Sequence, residues 1–177
     1  MKRFFALLLC LILAFALVAC EGKKDKNAHR DDADGGADTE AKKSSVSFYV
    51  EYNSVKIELG ADAAAVLAAL GAPASSSAVG NCGGQGTLTK YVYTSIELYT
   101  LNTGSAETVD GIIFLDDAVK CPEGVGVGST ADAVQKACGS GFTKKSDSAI
   151  TYVSGNKSLI FTLKSGSVVA VEYAING

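Results

Sequence analysis

Two fifteen-residue stretches of this chain follow one pattern. Ile57-Glu58-Leu59-Gly60-Ala61-Asp62-Ala63-Ala64-Ala65-Val66-Leu67-Ala68-Ala69-Leu70-Gly71 aligns without gaps, 68 positions on, with Val125-Gly126-Val127-Gly128-Ser129-Thr130-Ala131-Asp132-Ala133-Val134-Gln135-Lys136-Ala137-Cys138-Gly139. Each copy places two apolar residues at period two, then Gly, then a capping residue: Asp62 in the first, Ser129 or Thr130 in the second. About nine helix formers come next, closed by a Gly at the C′ position. Val66 with Leu70, and Val134 with Cys138, are i, i+4 pairs that give each helix one small apolar stripe. Helices this short do not stand alone, so both must pack on something.

The segments after each helix read as strands. Residues 89–94, 96–101 and 109–115 come after the first; 149–153, 158–164 and 168–175 come after the second. Between them lie turn formers: Thr94-Ser95, Asn102-Thr103-Gly104-Ser105, Ser154-Gly155-Asn156-Lys157 and Ser165-Gly166. An opening strand over 46–52 alternates Val46, Phe48, Val50 and Tyr52 with more polar neighbours. The expected fold is α+β, a tandem repeat of short helix plus three-stranded antiparallel meander, with the strands pooled in one sheet and the helices on one face. The folded domain is residues 46–177, with repeat 1 at about 46–116 and repeat 2 at about 117–177.

A short helix plus meander, given twice, resembles the β-lactamase-inhibitor-protein-like tandem fold. The stretch Ile112-Ile113-Phe114-Leu115-Asp116-Asp117, followed by Pro122-Glu123-Gly124-Val125-Gly126-Val127-Gly128-Ser129, resembles a group of uncharacterised surface lipoproteins of Gram-positive bacteria. These motifs are turns, glycines and caps. The resemblance therefore implies location and fold and carries no active-site residue across. Three domain cysteines depart from the inhibitor pattern, and inhibition of β-lactamase is not inferred.

The N-terminus is a different material. Met1-Lys2-Arg3 precedes an unbroken apolar run from Phe4 to Val18, then Ala19 and Cys20. This is the layout of a secretory signal over residues 1–19; a spanning helix normally needs about 20 apolar residues, and the run gives way at once to Glu21-Gly22-Lys23-Lys24. Leu17-Val18-Ala19-Cys20 resembles the lipobox of bacterial lipoproteins, which implies an acylated Cys20 as the first residue after cleavage. Two or more acyl chains hold a protein stably where one does not. Residues 20–45 are then the lipidated Cys and a charged linker, whose 25 residues after Cys20 lack any aromatic or branched aliphatic side chain. A coil of that length reaches on the order of 25–30 Å, so the domain is expected close to the membrane, on the cell surface.

Chemistry is limited by what the domain lacks. The one His, His29, and both Arg, Arg3 and Arg30, lie before residue 46. That removes the usual general base, the commonest metal ligand and the bidentate carboxylate clamp. His29 among Asp31, Asp32 and Asp34 reads as a solvated charge run, not a metal site. Ser154-Gly155-Asn156-Lys157 fits S-x-x-K but reads as a hairpin turn, and Gly80 to Gly86 lacks the Lys-Ser/Thr of a phosphate loop. Asp110, Asp116 and Asp117 read as turn and helix-entry residues because no spaced calcium loop is present. A net charge of −3 with scattered Lys gives no case for nucleic acid. No cofactor or metal is expected, and the expectation is a protein that is not an enzyme.

Five cysteines include Cys10 in the signal and Cys20 at the lipobox, leaving Cys82, Cys121 and Cys138. One bridge can form and one thiol is left over. Cys121–Cys138 would staple the crossover to its own helix, for about 3 kcal/mol in a chain-entropy model; other pairings, or three buried thiols, are the alternatives.

Alternation along the strands divides each between a covered and an open face. With Ile96 and Leu98 facing the helices, Tyr99 and Leu101 face out; with Leu159, Phe161 and Leu163 inward, Ile160 is outward. Tyr99, Leu101, Ile113 and Ile160 then form an open apolar strip of the sort that marks a partner surface. The expected function is a membrane-anchored, non-enzymatic module that binds a protein or envelope polymer. A structural envelope component and a hydrolase working without His are the rivals.

Overall fold

The computed structural model describes residues 46–80 and 86–176. The signal, lipobox Cys20, linker, His29 and Cys82 lie outside them. The elements are β1 (Tyr49–Tyr52), β2 (Val55–Glu58), α1 (Ala63–Leu70), β3 (Ser75–Val79), β4 (Thr87–Val92), β5 (Ile96–Asn102), β6 (Glu107–Phe114), α2 (Ala131–Cys138), β7 (Lys144–Lys145), β8 (Ala149–Ser154), β9 (Lys157–Lys164) and β10 (Ser167–Ile175).

This is a mostly β protein, which corrects the expected α+β class. Its main body is an eight-stranded antiparallel sheet in the order β3-β4-β5-β6-β10-β9-β8-β7, with β1 and β2 forming a separate hairpin. The helices are single eight-residue segments, and four strands come after each of them where three were expected. The difference has two physical sources. Edge strands β3 and β7 need no apolar alternation, since backbone bonds to one neighbour suffice to place them. The Val55–Glu58 segment, read as a prelude to a helix, instead folds back on β1. Asn53 and Ser54, both at positive φ (51° and 63°), make the tight turn that pairs Tyr52 with Val55.

Local chemistry explains the elements that do form. Asp62 caps α1 by accepting from the Ala65 amide at 2.9 Å, and Thr130 caps α2 by accepting from Ala133 at 3.2 Å. Gly71 and Gly139 close them at positive φ, 76° and 79°. The two segments that precede the helices also share a hydrogen-bond pattern with a strand valine. Gly60 donates to Val109 O and Val109 to Ala61 O, at 2.8 and 2.9 Å; Gly128 donates to Val168 O and Val168 to Ser129 O, at 2.9 and 2.8 Å. Each helix end is held by a tyrosine: Tyr93 Oη donates to Gly71 O at 3.3 Å, and Tyr152 Oη to Gly139 O at 2.9 Å.

One sheet face carries the core. Through the strand registers, Tyr91, Leu98, Ile112, Tyr173, Leu159 and Tyr152 form one row across six strands. Ile96, Val109, Phe114, Ile150, Phe161 and Val171 are buried alongside it. Covering residues come from three sources: Val50, Ile57 and Leu59 around the hairpin, Val66, Val134 and Cys138 on the helices, and Val119, Cys121 and Val125 in the crossover before α2. Most of the cover is therefore hairpin and coil, and two short helices do not make a layer.

The tyrosine clasps give a direct test. Tyr152→Phe is expected to lower unfolding free energy by about 1 kcal/mol in chemical denaturation, because it leaves the Gly139 carbonyl without its donor. Tyr93→Phe, at the longer bond, is expected to cost less; unchanged stability in both variants would contradict the clasp.

Candidate binding face

Hairpin, helices and crossover all contribute to the core on one side of the sheet, leaving the other side to be read strand by strand. Its central row runs Val92, Glu97, Ile113, Glu172, Ile160 and Thr151 from β4 to β8. A second row runs Lys90, Tyr99, Gly111, Ala174, Ser158 and Val153. The four residues expected on a partner surface, Tyr99, Leu101, Ile113 and Ile160, are all half-buried and share this face. They do not form an unbroken strip. Glu172 stands between Ile113 and Ile160, and Leu101 sits at the far end of β5 beside Leu88.

Sequence reasoning missed Glu97, Glu172, Lys90 and Val153, the last 41% exposed. The signal was present, since Glu97 shares parity with Tyr99 and Leu101 on β5. Gly111 lies opposite Tyr99, and a register shift between Tyr99 and Thr100 leaves Asp110 as the extra residue on β6.

The polar centre of the face is a small network. Tyr99 Oη donates to Glu97 Oε2 at 2.6 Å, and Lys90 Nζ lies 3.3 Å from Glu97 Oε1. The tyrosine hydrogen bond holds the Glu97 carboxyl below the usual carboxylate range, with Lys90 helping and partial burial opposing. Burial, then the bond to Glu97 and the fields of Glu97 and Glu172, push the Tyr99 phenol up to about 12. Partial burial also raises Asp110. Tyr99 is thus a neutral donor already committed to one carboxylate, and Glu172 remains exposed.

Other candidates fall elsewhere. Cys121 and Cys138 are separate, buried free thiols, so the expected Cys121–Cys138 bridge is not formed. Burial pushes each thiol up to about 12, which makes both poor nucleophiles. The buried Tyr173 hydroxyl makes no regular hydrogen bond among the described residues and lies beside the Cys121 thiol. Glu123 Oε1 accepts from the Ser47 amide at 2.7 Å, fastening the start of the described chain to the crossover. Ser154 and Lys157 pair across the β8–β9 turn, and Asp116 accepts from the Ala118 amide at 2.9 Å within its own turn. A polar cleft of about 440 Å³ lies between the hairpin and the crossover, lined by Tyr49, Glu51, Ala118, Lys120, Cys121 and Pro122. Among the described residues no group of three or more His, Cys, Asp or Glu is arranged to hold a metal ion.

The Glu97 network predicts a pH dependence. A carboxyl whose folded pKa is lowered contributes stability above its ordinary value and loses it as pH falls through the folded value. Unfolding free energy is therefore expected to drop as pH falls below the ordinary glutamate value of about 4.3, and Glu97→Gln is expected to flatten that slope. Denaturation curves at several pH values check this; identical slopes for both proteins would contradict it.

No protein-family model matches the chain, and no curated protein matches it. Among solved structures it is similar to an extracellular protein containing an SCP domain from Bacillus anthracis str. Ames, at 15% identity and a TM-score of 0.41. That match covers 88% of this chain and 50% of the other, so the chain spans about half the length of its solved neighbour.

Proposed function

We propose that this chain is a lipid-anchored, extracytoplasmic binding module that engages a protein or cell-envelope partner through the open face of its eight-stranded sheet. The observation that carries the reading is the division of the sheet. The residues that cover it pack into a single core on one face, while Tyr99, Leu101, Ile113 and Ile160 stay half-exposed on the other. A face with aliphatic and aromatic contact area, a hydrogen-bonded Glu97–Tyr99–Lys90 centre and an exposed Glu172 has the mixed composition of partner surfaces. Anchoring rests on the lipobox resemblance at Leu17-Val18-Ala19-Cys20 and on the charged linker behind it. No helix among the described residues is long and apolar enough to cross a membrane.

Two experiments separate anchoring from binding. Cys20→Ala is expected to abolish the acyl adduct in intact-mass spectra and to move the chain from membranes to the soluble fraction; undiminished membrane retention would refute the anchor. For the face, the double variant Ile113→Lys, Ile160→Lys is compared with the parent chain in capture from its own envelope fraction. Species held by the parent should fall by about tenfold or more with the variant, as expected when buried apolar anchors are lost. Equal capture by a variant that keeps its circular dichroism spectrum would contradict the role of this face.

A further inference from the structure

A sheet ends in strands whose outward N–H and C=O groups have no neighbour, and natural sheets guard such edges with lysine, proline, bulges or brevity. Among the described residues the sheet ends at β3 and at β7, and these two edges differ. β7 is two residues long, both lysine and both exposed, so an incoming strand meets two ammonium groups and little backbone. β3 is five residues long, exposed at every position but Val79, free of charge and proline, and paired to β4 in unbroken register. Alternate residues of such a strand turn their backbone donors and acceptors away from β4, which makes β3 a complete pairing template.

We propose that β3 pairs with β3 of a second copy of this chain, antiparallel about a two-fold axis at Ser77, so that two eight-stranded sheets join into one. Centring on Ser77 is the register that uses all five residues. It sets Ser77 against Ser77, Ser76 against Ala78 and Ser75 against Val79, with no side chain larger than valine and no like charges at the seam. The strand is self-complementary, as a two-fold interface requires. The competing head-to-tail arrangement, β3 of one copy on β7 of the next, would grow without closing. Lys144 and Lys145 block it, so assembly stops at two. Pro73 before β3 and Gly80 after it bound the pairing at both ends. This inference rests on the sheet edge and is independent of the open face.

The test is disulfide trapping of the full chain in detergent, in a Cys82→Ser background that serves as the uncross-linked control. Residues directly opposite in antiparallel strands have Cα atoms about 4.5–5.5 Å apart, within disulfide reach. Ser77→Cys is therefore expected to give a covalent dimer on mild oxidation with oxidised glutathione, two thiols forming one S–S bond as the oxidant is reduced to two glutathiones. Ser75→Cys, which faces Val79 of the other copy, is expected to cross-link about tenfold more slowly. Adding Ala78→Lys to Ser77→Cys is expected to abolish the dimer while leaving the far-ultraviolet circular dichroism unchanged. No dimer from Ser77→Cys, equal cross-linking at positions 75 and 77, cross-linking that survives Ala78→Lys, or trapping of a different chain would each overturn the proposal.

Discussion

The pairing of β10 with β6 holds the rest of the molecule together. On either side of it, neighbouring strands are neighbours in sequence, running from an edge to the centre: β3 to β6 in one half, β7 to β10 in the other. Among the described residues, the sheet joins the halves through Glu172 with Ile113, Tyr173 with Ile112 and Ala174 with Gly111. Closing this long loop costs chain entropy, which local hairpins largely avoid. Two features favour it. Tyr173 is fully buried and packs on Phe114 with ring centroids 6.0 Å apart. Gly111 lets the strands approach, since a Cβ there would lie 3.2 Å from the Tyr173 carbonyl and 3.7 Å from the Tyr99 Cβ.

That seam also sets the two faces. Tyr173 and Ile112 point into the core, so Glu172 and Ile113 beside them point out, and the same parity continues through β5 and β9. The core row and the open row are therefore consequences of one register. A one-residue slip at the seam would exchange them. Charged and apolar side chains alternate along the open row, and Glu97 is held by Tyr99 and Lys90, so the face mixes polar groups with half-buried apolar area.

Much of this was readable where burial leaves a pattern. The strands expected at 96–101, 158–164 and 168–175 fall on β5, β9 and β10, because inward residues recur at every second position. The helix caps were readable because Asp62 and Thr130 each satisfy an amide three residues on. The class of the fold was not. β3 is Ser-Ser-Ser-Ala-Val and β7 is Lys-Lys, and both owe their conformation to a neighbouring backbone, not to apolar alternation. The opening strand, expected over 46–52, shortens at its start to Tyr49–Tyr52 because β2 ends at Glu58, opposite Tyr49, and gives residues 46–48 no strand to pair with. On the open face, parity alone placed Tyr99, Leu101, Ile113 and Ile160. Attention to apolar residues missed Glu97 and Glu172, which break the strip and give the face its charge.

The division between a covered and an open face, and the binding role proposed for the open one, can be read by hydroxyl-radical footprinting of the full chain, purified and then in native envelopes. Tyr99, Leu101, Ile113 and Ile160 should be oxidised in the purified protein, with Phe161 and Tyr173 protected, and the first four should become protected in envelopes. Oxidation of Phe161 and Tyr173 as fast as Tyr99, or an open face equally reactive in both preparations, would contradict the account.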